Sequence, residues 1–587
     1  MKTIITYLKN LPEWAFLCLY LGFVFLYNFL LGLQGFDMCD EGFCLTAYQQ
    51  LFEHPLSAEY QFLYYNAVLT GAVWNSIFGS WGILGFRVLS VIVRTLTAFF
   101  VYQLLRKHVN RWCVLFGVVV VLLNFHYIMV FHHNDFTILL CIAAIYALYQ
   151  ALSLRNIWLS ALAGGLVAVN IFTRLPNASM MSLVLAFIPF YLYTKDINQT
   201  IKLLCGAIVG FVVGMGIQIG MMVLLDHWDI FANNFTSAGA GQLSAEESAH
   251  NVKWLILKYC ENYWEIIICA AELFVIPFVL WNIPKVVHAK LWQRVIVGLM
   301  AVFYICVIWI NTKNPTMISY AFAYLILSNY ALQHKKDEDK IYIIIMALIM
   351  MSVLPFGSAS GILTLGLYCI WISIPLAVGL VYDEYLHHNH ISSNSYKNGL
   401  LYGAILIFLS VLSLRGMYQT GLECYFDPGS RVKKMYRINH SLATTYTTEK
   451  RCAIVNDLLE HLKDYVNEGD YLLAYYGVPT VHYLTHTYPY LNCSWPSCYD
   501  IGQLKQHFKC AEENIDVKPV ILRHKSGLTC WTQYNPEWNS LNCSDQWLIN
   551  ADVISQIQSF IVKYDYEVVW ENDLWQILIT KDVNRIE

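Results

Sequence analysis

Apolar residues run along most of this chain in blocks of roughly 20, the length needed to cross a bilayer as a helix, and polar residues gather in the gaps between blocks. Thirteen such blocks are legible, near 13–33, 81–105, 112–131, 136–153, 157–173, 178–194, 201–225, 263–281, 291–311, 317–333, 341–356, 360–382 and 400–418. After residue 419 the pattern changes. RCAIVNDLLEHLKDYVN (451–467) repeats with helical period and puts Ile454, Leu458, Leu459, Leu462 and Val466 on one face. Strand-like runs follow at 471–478 and 517–523, then an amphipathic stretch at 551–563 and the runs YEVVW and WQILIT. The pattern predicts an α-helical polytopic membrane protein with about 13 transmembrane helices over residues 1–418 and a soluble α/β domain over 419–587.

Composition sharpens this picture. Of 587 residues, 57% are hydrophobic and 13% charged, against about 25% charged in soluble domains. Mean hydropathy is +0.47. A single water-soluble core cannot bury so much apolar surface. The net charge of −4 offers no basic face for nucleic acid, so none is expected as a partner. With the N-terminus inside, inner segments hold fifteen Lys and Arg and outer loops four. That asymmetry predicts an extracytoplasmic C-terminal domain. Five cysteines of that region, Cys493, Cys498, Cys510, Cys530 and Cys543, could pair in an oxidising compartment or remain free.

The polar residues in costly places carry the chemistry. The first outer loop, 34–80, has no Lys or Arg and opens with Asp37, Asp40 and Glu41. Low dielectric and like charges raise carboxylate pKa, so such a cluster can supply a general base; equally, it can be an ordinary acidic loop start. Tyr60, Tyr64 and Trp74 continue the loop, and 62–79 is apolar enough to lie flat in the interface. Arg87 and Arg94 fall inside the second span. Arginine there needs a partner, either a lipid phosphate or an acid such as Asp37 or Asp40. The next outer turn reads His132-His133-Asn134-Asp135. It could bind a metal, orient a substrate hydroxyl, or cap the following helix through Asn134 or Asp135. Arg174 is the single cation of the first three outer turns. The turn from Pro355 to Gly361 is small enough for close backbone approach.

These residues in this order resemble the GT-C superfamily of polyprenyl-phosphate-sugar-dependent glycosyltransferases, above all protein O-mannosyltransferases and bacterial lipid A aminoarabinose transferases. The likeness rests on Asp40-Glu41 directly after the first span, with Asp37 three residues earlier, and on Arg87 in FGSWGILGFRVLS. It covers the first ~180 residues best. The resemblance implies a multi-pass cell-envelope transferase, in the bacterial inner membrane with a periplasmic C-terminal domain. It implies sugar transfer, with inversion, from a polyprenyl-phosphate donor to a lipid, glycan or protein acceptor. Asp40 or Asp37 would be the base and Glu41 an orienting neighbour. Arg87 would grip phosphate; Arg174, as the lone cation of the early outer turns, is a second candidate for that role, and His133, Asp135 and Tyr64 are candidate substrate contacts by their own positions. Some members use a divalent metal, so none is assigned or excluded. A transporter, the rival class, should show repeated halves, and none is visible. An O-antigen ligase or polymerase should carry its large outer loop late in the chain.

Overall fold

The protein was analysed as a computed structural model, which describes residues 10–125, 128–236, 251–282, 291–311, 314–391, 395–427, 429–475, 477–525 and 551–580. Each of the thirteen apolar blocks coincides with a helical segment. The first is α1 (Glu13–Gly32). Its exit leads to α2 (Asp40–Gln50) and α3 (Tyr65–Phe78), which belong to the first loop. Then follow α4 (Gly82–Leu105), α5 (Arg111–Leu123), α6 (His133–Leu154), α7 (Ile157–Thr173), a 3-10 run over Leu175–Ala186 continued by α8 (Phe187–Thr194), and α9 (Ile197–Leu224). After the short α10 (Trp228–Asn234), the bundle continues with α11 (Val252–Asn282), α12 (Leu291–Asn311), α13 (Pro315–Gln333), α14 (Glu338–Val353), α15 (Ile362–Ile391) and α16 (Ser395–Leu422). Seven segments among the described residues are long and apolar enough to cross a membrane. The chain is an integral membrane protein by length and composition of its own helices.

Two blocks differ from their sequence reading. The third, expected over 112–131, is helical only to Leu123. Asn124 bonds back to the Val120 carbonyl (2.8 Å), and the described residues between Leu123 and His133 carry no helix. The freed amides of Met129 and Val130 are taken by Glu41 (3.3 and 3.2 Å). The sixth block is largely 3-10 rather than α. Elsewhere small residues set the packing. α7 and α9 approach so closely that a Cβ at Gly164 would strike the Ala207 carbonyl, and one at Gly210 the Ala161 carbonyl.

The bundle has two ends of different character. At one end Ser153 bonds Asp339 (3.1 Å), Tyr193 the Lys335 carbonyl (2.7 Å) and Gln199 the Arg155 carbonyl (3.1 Å). These are the segments rich in Lys and Arg. The other end carries the loop 34–80, the turns at 132–135, 174–177 and 355–361, and everything after α16.

The C-terminal region contains a small antiparallel pair, β1 (Tyr436–Arg437) and β2 (Tyr446–Thr447), and a five-stranded sheet of order β4-β3-β5-β7-β6. β3 (Tyr471–Tyr475) lies parallel to β4 (Tyr488–Pro489) and β5 (Val520–His524); β7 (Trp575–Thr580) and β6 (Tyr566–Glu571) add antiparallel. Helices α17 (Glu449–Leu462), α18 (Thr480–Thr485), α19 (Ile501–Asn514) and α20 (Ala551–Lys563) surround it. Leu458, Leu462 and Val466 are buried as the periodicity predicts, whereas Val455 and Cys452 replace Ile454 and Leu459 on the deepest face. Cys493, Cys498 and Cys510 carry free thiols; Cys530 and Cys543 lie outside the described residues.

This region does not hang from the bundle. Phe36, Met38, Leu45 and Tyr48 of the first loop share one buried core with Val455, Leu472, Val481 and Trp575. Asp427, fully buried, binds this junction. It accepts from the Phe36 amide (2.9 Å) and Thr447 Oγ1 (2.9 Å) and pairs with Lys434 (3.0 Å) and Arg451. Two cations and two neutral donors around one carboxylate make it costly to separate the loop from the C-terminal region.

Candidate functional site

The first polar cluster is built by the N-terminus of α2. A helix leaves its first amides without partners, and Asp37 supplies two. Its Oδ1 accepts from Cys39 N (2.7 Å) and its Oδ2 from Glu41 N (2.9 Å). Its own carbonyl accepts from Thr480 Oγ1 of α18 (2.9 Å). Asp37 is 1% exposed. Burial, reinforced by the charges of Asp40 and Glu41, holds its pKa well above the usual carboxylate range, and the two amides oppose that only in part.

Glu41, one residue into the helix, turns inward. Its Oε2 meets Arg87 Nη2 at 2.7 Å while Oε1 takes the two amides freed by the end of α5. Arg87 commits both terminal nitrogens: Nη1 donates to the carbonyls of Gly32 (2.8 Å) and Gln34 (3.0 Å), and Nη2 also to Gly35 (2.9 Å). So Arg87, expected beside a phosphate, caps the end of α1 and grips Glu41.

Arg94 finds a different acid from the Asp37 or Asp40 expected. Its Nε and Nη2 pair with the two oxygens of Asp135 (3.0 and 3.2 Å), and it donates to the Ile128 carbonyl (2.7 Å). Asp135 also accepts from Ser90 (2.8 Å) and meets His132 Nδ1 (3.2 Å). It therefore anchors α4 to α6 instead of capping α6; the residue at the cap position is His132, whose side chain makes no capping bond. With Asp135 on Nδ1 and Tyr368 Oη on Nε2 (2.9 Å), the His132 ring is fixed on both sides.

Asp40 is left as the acid that faces outward. It is partly exposed, unlike Asp37 and Glu41. Its Oδ2 accepts a hydrogen bond from Tyr425, beyond α16. No hydrogen bond reaches its Oδ1 from the described residues. Burial of the carboxylate raises its pKa, the Tyr425 bond and the nearby His132 oppose this, and Glu41 adds to it.

Around Asp40 stands a wall of rings and one arginine. Tyr64 stacks on His133, ring centroids 4.0 Å apart and 13° from parallel. Tyr64 lies within electrostatic range of both Asp40 and Arg174, and His133 within range of Arg174. Arg174 is 5% exposed and makes long contacts of 3.4 Å to Asn177 Oδ1 and the Leu354 carbonyl. The turn after Leu354 closes over Pro176. Gly357 (φ +88°) abuts Pro176 so tightly that any Cβ would overlap it. Among the described residues no three His, Cys, Asp or Glu side chains converge as a metal site. Glu41 and Asp135 are paired with arginines, and Asp37 accepts from two amides.

The structure thus brings Asp40, Tyr64, His133 and Arg174 into one neighbourhood, and puts Asp37, Glu41, Arg87 and Asp135 behind it as its frame. Two contributors carry no local sequence signal. Tyr425 sits in ordinary-looking GLECYFDPGS. Tyr368 lies in an apolar helix, where a buried hydroxyl needing a partner is the single hint.

No protein-family model matches this chain, and no curated protein matches it. Among solved structures, the chain is similar to an oligosaccharyltransferase of Archaeoglobus fulgidus tethered to an acceptor peptide containing the NVT sequon, at 12% identity and TM-score 0.44. It is similar also to the archaeal oligosaccharyltransferase AglB of the same organism in complex with an inhibitory peptide and a dolichol-phosphate, at 13% identity and TM-score 0.44. Each match covers 88% of this chain and 70% of the other. The overlap is too loose to assign a family, and the functional reading rests on this chain's own residues.

Proposed function

We propose that this protein is a membrane glycosyltransferase of GT-C type, moving a sugar from a polyprenyl-phosphate donor to an extracytoplasmic lipid, glycan or protein acceptor. One observation carries the reading: a partly exposed carboxylate of raised pKa and a buried arginine both lie within electrostatic range of Tyr64, which stacks on His133, at a bundle end. A base for the acceptor and a cation for the departing phosphate are what attack at an anomeric carbon calls for.

In this reading the acceptor hydroxyl gives its proton to Asp40 as its oxygen forms the new bond to the anomeric carbon. The bond from that carbon to the donor phosphate breaks, and the phosphate leaves with the electron pair. Arg174 takes up that charge, since a guanidinium can bind two phosphate oxygens. The Tyr64–His133 stack offers a flat face for the sugar ring. Asp37, Glu41, Arg87 and Asp135 fix the geometry and touch no substrate. No step is routed through a metal. The C-terminal domain, residues 419–587, faces the extracytoplasmic side and covers the acceptor approach.

Purified protein in detergent, given polyprenyl-phosphate sugars of several kinds, should release polyprenyl phosphate when a matching acceptor is present. Arg174→Ala should weaken donor use by about 1.5–3 kcal/mol, the size of hydrogen bonds to a charged group. Undiminished donor use in that variant would remove Arg174 from the site.

A further inference from the structure

We infer that Tyr425 is a positioning residue for Asp40, so that the segment leaving the last helix completes the reactive centre. This rests on the reading of Asp40 as the base. The geometry is specific. Tyr425 lies in a turn from Cys424 to Asp427, in which Asp427 N bonds the Cys424 carbonyl (3.1 Å). Phe426 takes φ +45°, a conformation that residues with a Cβ adopt only when their surroundings enforce it. Two clamps do so here. Cys424 packs under Gly35, where a Cβ would come within 2.9 Å of Cys424 Cβ. Asp427 is tied to Phe36 N, Thr447, Lys434 and Arg451. Residues 35 and 36 thus fix the turn that aims Tyr425 at Asp40, four residues further along the same loop.

The hydroxyl of Tyr425 donates to one oxygen of Asp40 and leaves the other for an acceptor. Without that bond the carboxylate would be free to rotate about χ2. It would also lose a donor that favours its ionised form. Among the described residues, the charged and titratable groups facing Asp40 are Asp37 and Glu41 of its own segment, Cys44 one turn on, Tyr64 of the first loop, His132, and Cys498 and Tyr425 of the C-terminal region. Tyr425 is the one that hydrogen-bonds the carboxylate.

The test is a pH profile of kcat/KM for sugar transfer by Tyr425→Phe, which keeps the ring and removes the hydroxyl. With that donor gone, the acidic limb should move to higher pH and the loss of rate should be largest on the acidic side, with unchanged thermal stability. Thr480→Val is the comparator. It cuts another bond between the C-terminal region and the loop, to the Asp37 carbonyl, and should leave the acidic limb where it is. A Tyr425→Phe profile that superimposes on the native one, or a shift shared by Thr480→Val, overturns the inference. Asp40→Asn separates the two claims. If it retains near-native transfer, the base assignment itself fails. If it is inactive while Tyr425→Phe behaves as native, Tyr425 alone is dismissed.

Discussion

At the scale of single residues, the site is governed by which charges are already spent. Of the four acids and three arginines singled out in the early outer turns and second span, Glu41 pairs with Arg87 and Asp135 with Arg94. Asp40 and Arg174 stand outside these two ion pairs, beside Tyr64. Loss of a buried partner leaves an uncompensated charge, worth about 3–5 kcal/mol. Arg87→Ala should therefore lower the thermal unfolding temperature and expression, whereas Arg174→Ala should fold normally and lose donor use. Thermal unfolding in detergent, followed by fluorescence, separates the two. Equal stability of both variants would place Arg87 nearer the substrate than the geometry does. The sequence made these residues visible as a set, since charges at a membrane edge are conspicuous. It could not assign partners, because Arg87 to Glu41 spans 46 positions and Arg94 to Asp135 spans 41.

At the scale of elements, the junction of α2 with α18 carries the site. Asp37 and Asp40 keep their positions because α2 lies tightly against the C-terminal region. A Cβ at Gly42 would overlap the Thr480 backbone amide and hydroxyl. Gly42→Val should force the two apart, breaking the Thr480 bonds to Asp37 and Met38. Limited proteolysis should then cut residues 425–587 faster than in the native protein, with loss of transfer. Unchanged protease resistance would show that the contact is looser than described. Helical periodicity marked α17 and α20, and strand-like runs marked β3, β5, β6 and β7, but α2, α18 and α19 were not read from the sequence. The early end of α5 was not legible, because Val130 and Phe131 continue the apolar run; what ends the helix is a distant carboxylate waiting for amides.

At the scale of the molecule, the account requires the two ends of the bundle to face different compartments. The basic end holds Arg106, Lys107, Arg155, Lys335 and Lys340, and the site lies at the other. From the positive-inside asymmetry we propose that the basic end faces the cytoplasm. A single cysteine introduced at Lys336 should resist a membrane-impermeant maleimide in intact cells, while one at exposed Lys463 of the C-terminal region should react. The reverse pattern would turn the site inward. The helical blocks, their order and the change of pattern after residue 419 could all be read from hydropathy, because bilayer thickness imposes its length on the sequence. The shared core of loop and C-terminal region could not. It is built from contacts hundreds of positions apart, such as Thr480 to Asp37, for which a single sequence holds no periodic trace.

The central claim is that Asp40 removes the acceptor proton while Asp37 only holds the helix start. Sugar transfer from a polyprenyl-phosphate donor by purified Asp40→Asn and Asp37→Asn variants tests it most directly, alongside thermal stability of each. Asn keeps the shape of Asp and cannot take the proton. Asp40→Asn should fold normally and bind donor, yet lose about 10²–10⁴-fold in turnover, the usual contribution of a general base. Asp37→Asn should lose stability first, since Asn keeps one acceptor oxygen where the two oxygens of Asp37 serve two amides. Near-native turnover by folded Asp40→Asn would contradict the account.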